Sequence, residues 1–140
     1  RNVALKQNTT QSGIYIDETY TAEYSNSSNA VDGKALYNFS EKSCAHPFSG
    51  NRNKQFWTVL FSPHVVTGYV LYDRQDNFAN FKGFQLTASS GSKIQFKYTD
   101  VPKNGEREIY RIADYQKRIV TNVTIDRDND LNVCEVEVYG

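Results

Sequence analysis

Apolar residues in this chain recur with a period of two and never with the period of a helix, which restricts the chain to strands. Ile94, Phe96 and Tyr98 alternate with Lys93, Gln95 and Lys97. Ile119, Thr121, Val123 and Ile125 share one face and leave Asn122 on the wetter one. Cys134, Val136 and Val138 point inward, and Glu135, Glu137 and Tyr139 outward. Residues 56–61 form a near-continuous apolar run around Trp57, which suits a strand buried on both faces, and Ser62-Pro63 breaks it. Residues 65–72 and 81–88 read as further strands, residues 2–7 as a short first one, and 108–112 as a short ambiguous piece. Residues 8–28 read as loop with at most one strand. Segments 47–55, 73–80, 101–105 and 126–132 carry turn chemistry. About eight short strands between turn signals, with no convincing amphipathic helix, predict an all-β sandwich, and a jelly roll is the favoured version.

A chain of 140 residues is expected to form one domain with a real core. Its 39% hydrophobic and 23% charged residues are those of an ordinary soluble chain. Formal net charge is zero, without acidic or basic blocks, which argues against nucleic acid and against an anionic membrane surface as partners. No apolar run approaches the length of a membrane span. The chain starts abruptly at Arg1 without a signal peptide and reads as a piece of a longer extracellular precursor.

Four N-x-Ser/Thr tripeptides, at Asn8, Asn26, Asn38 and Asn122, are possible glycosylation sites. The two cysteines, Cys44 and Cys134, have no zinc spacing. They suit one disulfide, the alternative being two buried free thiols. Sequons and cysteines together point to a secreted protein or a cell-surface ectodomain.

Residues 29–46 are too polar and irregular for a helix or strand. Asp, Asn, Ser and Gly concentrated in one loop suit a hard cation, because carboxylate, hydroxyl and carbonyl oxygens can converge there. Gly33, directly after Asp32, permits a sharp turn. A bridge from Cys44 to Cys134 would bring Glu135 to the same loop and set two carboxylates side by side.

Several ordered motifs carry a resemblance. They are Asn2-Val-Ala-Leu, Ser28-Asn-Ala-Val-Asp-Gly, Ser43-Cys-Ala-His, Phe56-Trp, Tyr72-Asp-Arg-Gln-Asp, Lys82-Gly-Phe and Cys134-Glu-Val-Glu-Val-Tyr. Together they resemble the F-type (fucolectin) lectin domain, a relative of the discoidin and coagulation factor 5/8 C-terminal domains. The resemblance spans essentially the whole chain. It implies a galactose-binding-domain-like jelly roll with a calcium ion beside a disulfide and a sugar pocket at one end. It implies calcium ligands at Asn29, Asp32, Lys34, Ser43, Cys134 and Glu135. Lys34 stands where the family often has Asn, at a position that gives only its backbone carbonyl.

For the sugar, the resemblance implies His46, Arg74 and the orienting Asp76. The family's second Arg is missing from a loop that looks one residue short, and Asn80 or Lys82 is the nearest substitute. Asn77 and Phe78 replace the adjacent cysteines that floor the family's pocket, and Phe78 offers an apolar face. The expected function is a calcium-containing, fucose-type carbohydrate-recognition domain with a partly degraded pocket. The alternative is an adhesion or receptor module that keeps fold and calcium but binds a cell-surface protein. An enzyme is not expected: His64 has no matching acid or nucleophile nearby, and no phosphate-binding glycine loop occurs.

Overall fold

The computed structural model describes residues 1–34, 41–48, 54–74, 81–101 and 107–140. Among them are eight strands: β1 (Asn8–Gln11), β2 (Lys54–Val65), β3 (Gly68–Tyr72), β4 (Gln85–Ser90), β5 (Lys93–Thr99), β6 (Ile109–Ala113), β7 (Ile119–Asp128) and β8 (Glu135–Tyr139). They form a five-stranded sheet in the order β1-β2-β7-β4-β5 and a three-stranded sheet in the order β6-β3-β8. Every pairing is antiparallel, as short strands of alternating character allow. The helical content among the described residues is two 3-10 turns, Ala22–Tyr24 and Ser27–Val31. The expected all-β sandwich is therefore what the chain forms.

The core lies between the sheets. Trp57, Val59, Leu86, Val123 and Ile125 face inward from one sheet, and Tyr69, Leu71, Val136 and Val138 from the other. The Trp57 indole N–H donates to the Ser27 carbonyl at 2.9 Å, so the largest core side chain also anchors the second 3-10 turn. Tyr69 donates its hydroxyl to the buried Asp114 carboxylate at 2.9 Å. The chain ends meet: Asn2 bridges Tyr139, and the Val3 amide donates to the Val138 carbonyl at 2.8 Å.

Several boundaries differ from the sequence expectation. Residues 2–7 are not a strand; after the Asn2 bridge the chain turns, and pairing begins at Asn8. The segment around Trp57 is not buried on both faces, because its outer face has only water beyond it: Trp57 is fully buried, whereas Phe56 is 40% and Leu60 47% exposed. Ser62-Pro63 does not end this strand. The register against β7 shifts between Leu60 and His64, and a bulge accommodates the missing proline N–H. The same irregularity buries Val120 and leaves Ile119 exposed, so residues 119–125 do not keep one face throughout. Residues 65–72 divide between β2 and β3, and residues 81–83 are a turn that precedes β4. Ile94 is exposed while Phe96 and Tyr98 pack on the core, on either side of a register shift between Ala88 and Ser89.

Candidate functional site

Two clusters meet near the Cys44–Cys134 disulfide, which joins positions 90 residues apart. The cysteine alternative of two free thiols is thereby settled in favour of the bridge. Next to it, Ala45 and Val133 exchange backbone hydrogen bonds at 2.6 and 3.0 Å, so the bridge is continued by a short antiparallel contact.

The first cluster is built by the turn Ser27–Val31. The Asn26 side chain accepts the Ser28 amide at 3.2 Å and caps its start. Asn29 donates from Nδ2 to the carbonyls of Glu23 (2.9 Å) and Cys44 (3.1 Å), which ties the turn to the disulfide segment. Asp32 follows and accepts the Lys34 amide at 2.8 Å; the Lys34 side chain stays exposed. Gly33 adopts φ +80°, and its N–H donates to Glu135 Oε1 at 3.2 Å. Buried Ser43 donates to the Glu41 carbonyl at 3.3 Å. Glu135 does not face solvent as alternation along β8 predicts. It is 4% exposed, because the Asp32–Gly33 turn covers this end of the sheet.

The Glu135 carboxyl is under strong electrostatic pressure. Burial first, then the neighbouring Asp32 carboxylate, pushes it up to about 8. Its Oε2 is buried and receives no hydrogen bond. No group of three or more His, Cys, Asp or Glu side chains gathers among the described residues, so a cation here would rely on two carboxylates supplemented by hydroxyl and carbonyl oxygens. An unsatisfied buried carboxylate oxygen beside a second carboxylate, on a polar loop, fits a hard divalent ion.

The second cluster lies where β3 ends. His46 is fixed through its backbone: its N–H donates to the Ser25 carbonyl, and its carbonyl accepts the Tyr15 amide, both at 3.1 Å. Its ring stacks on Tyr15, with centroids 4.6 Å apart and planes 14° apart. Phe48 meets Tyr15 edge-on at 5.8 Å. Burial lowers the imidazole to about 4, with Arg74 pushing the same way and Asp130 opposing, so His46 is neutral at pH 7. Both ring nitrogens are shielded from solvent. Arg74 takes its position from the buried Asp73, which accepts the Arg74 amide at 2.7 Å, and its guanidinium donates to Asn132 Oδ1 at 3.4 Å.

Lys82 contributes through its backbone, its carbonyl accepting Arg127 Nε at 2.7 Å, and Arg127 also donates to the Asp130 carbonyl. Asp76, Asn77, Phe78 and Asn80, and the sequon residue Asn38, lie outside the described residues. Tyr15, Arg127, Asp130 and Asn132 were missed by sequence reasoning. Tyr15 sits in a stretch without periodicity, and the others sit at or beyond a strand end that reads simply as an acidic turn. Of the remaining sequon residues, Asn8 is exposed, Asn26 is exposed and spends its Oδ1 on a cap, and Asn122 donates to the Gly91 carbonyl at 3.0 Å.

No protein-family model and no curated protein matches the sequence. Solved structures do. The lectin domain of lectinolysin complexed with Lewis B antigen superposes with a TM-score of 0.82 at 19% identity, covering 99% of this chain and 96% of that one. The Streptococcus pneumoniae fucose-binding module SpX-3 gives 0.81 at 22% identity, covering 100% and 98%. The chain has the F-type lectin fold. A fucolectin from striped bass (Morone saxatilis) serum gives 0.80 at 23% identity, covering 99% of this chain and 48% of that longer one. The likeness to these F-type lectin and fucose-binding modules extends over the whole length of this chain.

Proposed function

We propose that this chain is an extracellular carbohydrate-recognition module of the fucose-binding type, stabilised by calcium at the Asp32–Glu135 cluster. The observation that carries the reading is the joint placement of His46, Arg74, Asn132 and Asp130 at one end of an F-type lectin fold, beside a disulfide. Neutral His46 and cationic Arg74 are the kind of donors and acceptors that read sugar hydroxyls, and Tyr15 and Phe48 supply apolar ring surface. Calcium would be held by the carboxylates of Asp32 and Glu135, by Ser43, and by the backbone carbonyls of Asn29, Lys34 and Cys134. Its chemistry there is structural: a divalent charge that lets the buried Glu135 carboxyl ionise beside Asp32. The disulfide and the sequons support an oxidising, extracellular setting for a single module over residues 1–140. The partners are fucosylated glycans, with no role for nucleic acid or membrane insertion.

Affinity for free L-fucose is expected to be weak. Lacking one charge-assisted hydrogen bond costs about 1.5–3 kcal/mol, roughly ten- to a hundredfold in affinity. The shielding of both His46 nitrogens favours a second reading, an adhesion or receptor module that keeps the fold and calcium site but docks on a cell-surface protein. A glycan array probed with multivalent protein, with and without chelator, separates the two. Binding to fucosylated glycans that His46→Ala and Arg74→Ala each remove supports the lectin. An array that stays blank, or binding indifferent to both substitutions, refutes it.

A further inference from the structure

The outward face of the three-stranded sheet carries a hollow at the end of β3 remote from Arg74. β3 opens with Gly68, which pairs with Ala113 of β6 on one side and Tyr139 of β8 on the other. Two adjacent positions with little or no side chain leave a concavity of about 290 Å³. Gly68, Val70 and Ala113 make its floor, and Thr67, Arg111 and Tyr139 also line it. The floor cannot easily rise, since a Cβ at Gly68 would come within 3.3 Å of the Ile112 carbonyl oxygen. The volume lies at the small end of ligand sites, with room for one ring rather than a chain of them.

The chemistry of the lining is one-sided. Arg111 is its one charged residue, is exposed, and forms no ion pair with any described carboxylate. Tyr139 is half-buried and borders the same hollow. The nearby acid on β8, Glu137, is not part of the lining; its carboxylate accepts the Tyr72 hydroxyl at 2.9 Å and also holds the Tyr139 hydroxyl, which leaves the Tyr139 ring face as the part of that side chain open to a ligand. A planar guanidinium matches a carboxylate with two parallel hydrogen bonds, and a tyrosine ring matches the C–H face of a pyranose. We propose that this hollow binds an acidic sugar, a pyranose bearing a carboxylate such as a uronic or sialic acid, with Arg111 on the carboxylate and Tyr139 against the ring. The site is independent of the cluster around His46, so one module would engage two kinds of sugar on two faces.

Titration of the intact protein with glucuronic acid, N-acetylneuraminic acid and neutral glucose, followed by amide chemical shifts, tests this. The expected result is saturable binding of at least one acid, with shifts centred on residues 67–70, 111–113 and 139, and none for glucose. Arg111→Gln should weaken it at least tenfold, the value of a lost charge-assisted hydrogen bond. Ala113→Leu, at an exposed position, should fill the hollow and abolish binding with an unchanged melting temperature. His46→Ala should leave it intact. Absence of saturable binding by both acids, equal binding of glucose, survival of binding in Arg111→Gln and Ala113→Leu, or its loss in His46→Ala would each overturn the assignment.

Discussion

Calcium removal should reveal itself as a stability change whose size depends on pH. Without an ion, Glu135 holds its proton up to about pH 8, because burial and the Asp32 carboxylate both oppose its ionisation. The folded value lies above the ordinary glutamate value of 4.5, so this group's contribution to the ion-free protein is complete below that value and is lost as pH climbs toward 8. Calcium reverses the trend, because it requires the ionised carboxylate. At pH 7 each bound ion should release close to one proton. Apparent calcium affinity should then rise up to about tenfold per pH unit from about 5 to about 8 and level off above. At a calcium concentration a hundred times the dissociation constant, stabilisation is about 2.7 kcal/mol. For a domain of this size that is a rise in melting temperature of about 10 °C.

Thermal melts at pH 6, 7 and 8 with calcium or EGTA give the shift, and calorimetry in buffers of different ionisation enthalpy gives the proton count. Glu135→Gln should lose the calcium response yet exceed the wild-type protein in ion-free stability at pH 8, since it removes the charge that Asp32 opposes. Identical melts with calcium and EGTA at every pH would refute the site. Calcium binding without pH dependence or proton release would refute the protonated Glu135.

Non-reducing mass spectrometry should find no alkylatable thiol, and reduction should cost about 4–5 kcal/mol, the chain-entropy value for a loop of 90 residues. Gly33→Ala places a side chain at φ +80° with its Cβ 2.8 Å from Leu5 Cδ1, and denaturant unfolding should show a loss of about 1–2 kcal/mol. Because His46 resists protonation down to about pH 4, stability should fall as pH drops from 6.5 toward 4. His46→Gln should flatten that limb of the melting profile.

The parts of the fold that were legible in the sequence are those whose two faces meet different surroundings. β8 beyond Glu135 and the Phe96–Thr99 part of β5 alternate because core lies on one side and water on the other, and the period shows it. β2 misled because Phe56 and Leu60 are apolar yet lie on the open face; composition alone cannot say which side a second sheet will cover. Pro63 misled because a bulge supplies the one place in a paired strand where a missing N–H does no harm. The meeting of Asp32 with Glu135 was legible because a covalent bond at Cys134 determines where the next residue goes. Tyr15 was not, because it reaches His46 only through folding of segments far apart in the chain, and nothing in its local spacing records it; Asn132 and Asp130, two and four residues before Cys134, could have been placed by the same bridge.

The adjacency of Asn2 and Tyr139 sets how this molecule would respond to mechanical force. Tension applied through its two ends loads a single bridge first, and β8 then peels from β3 residue by residue, like a zip rather than a sheared plank. Peeling halts at Cys134 from one side and at Cys44 from the other. Of the residues 1–140, 1–43 and 135–140 can be drawn out, roughly 17 nm of contour, while the loop closed between Cys44 and Cys134 bears no load. In an oxidising environment the Arg74 end of the sandwich would stay unstretched under pulling that had already undone both termini, and a reductant would remove that protection.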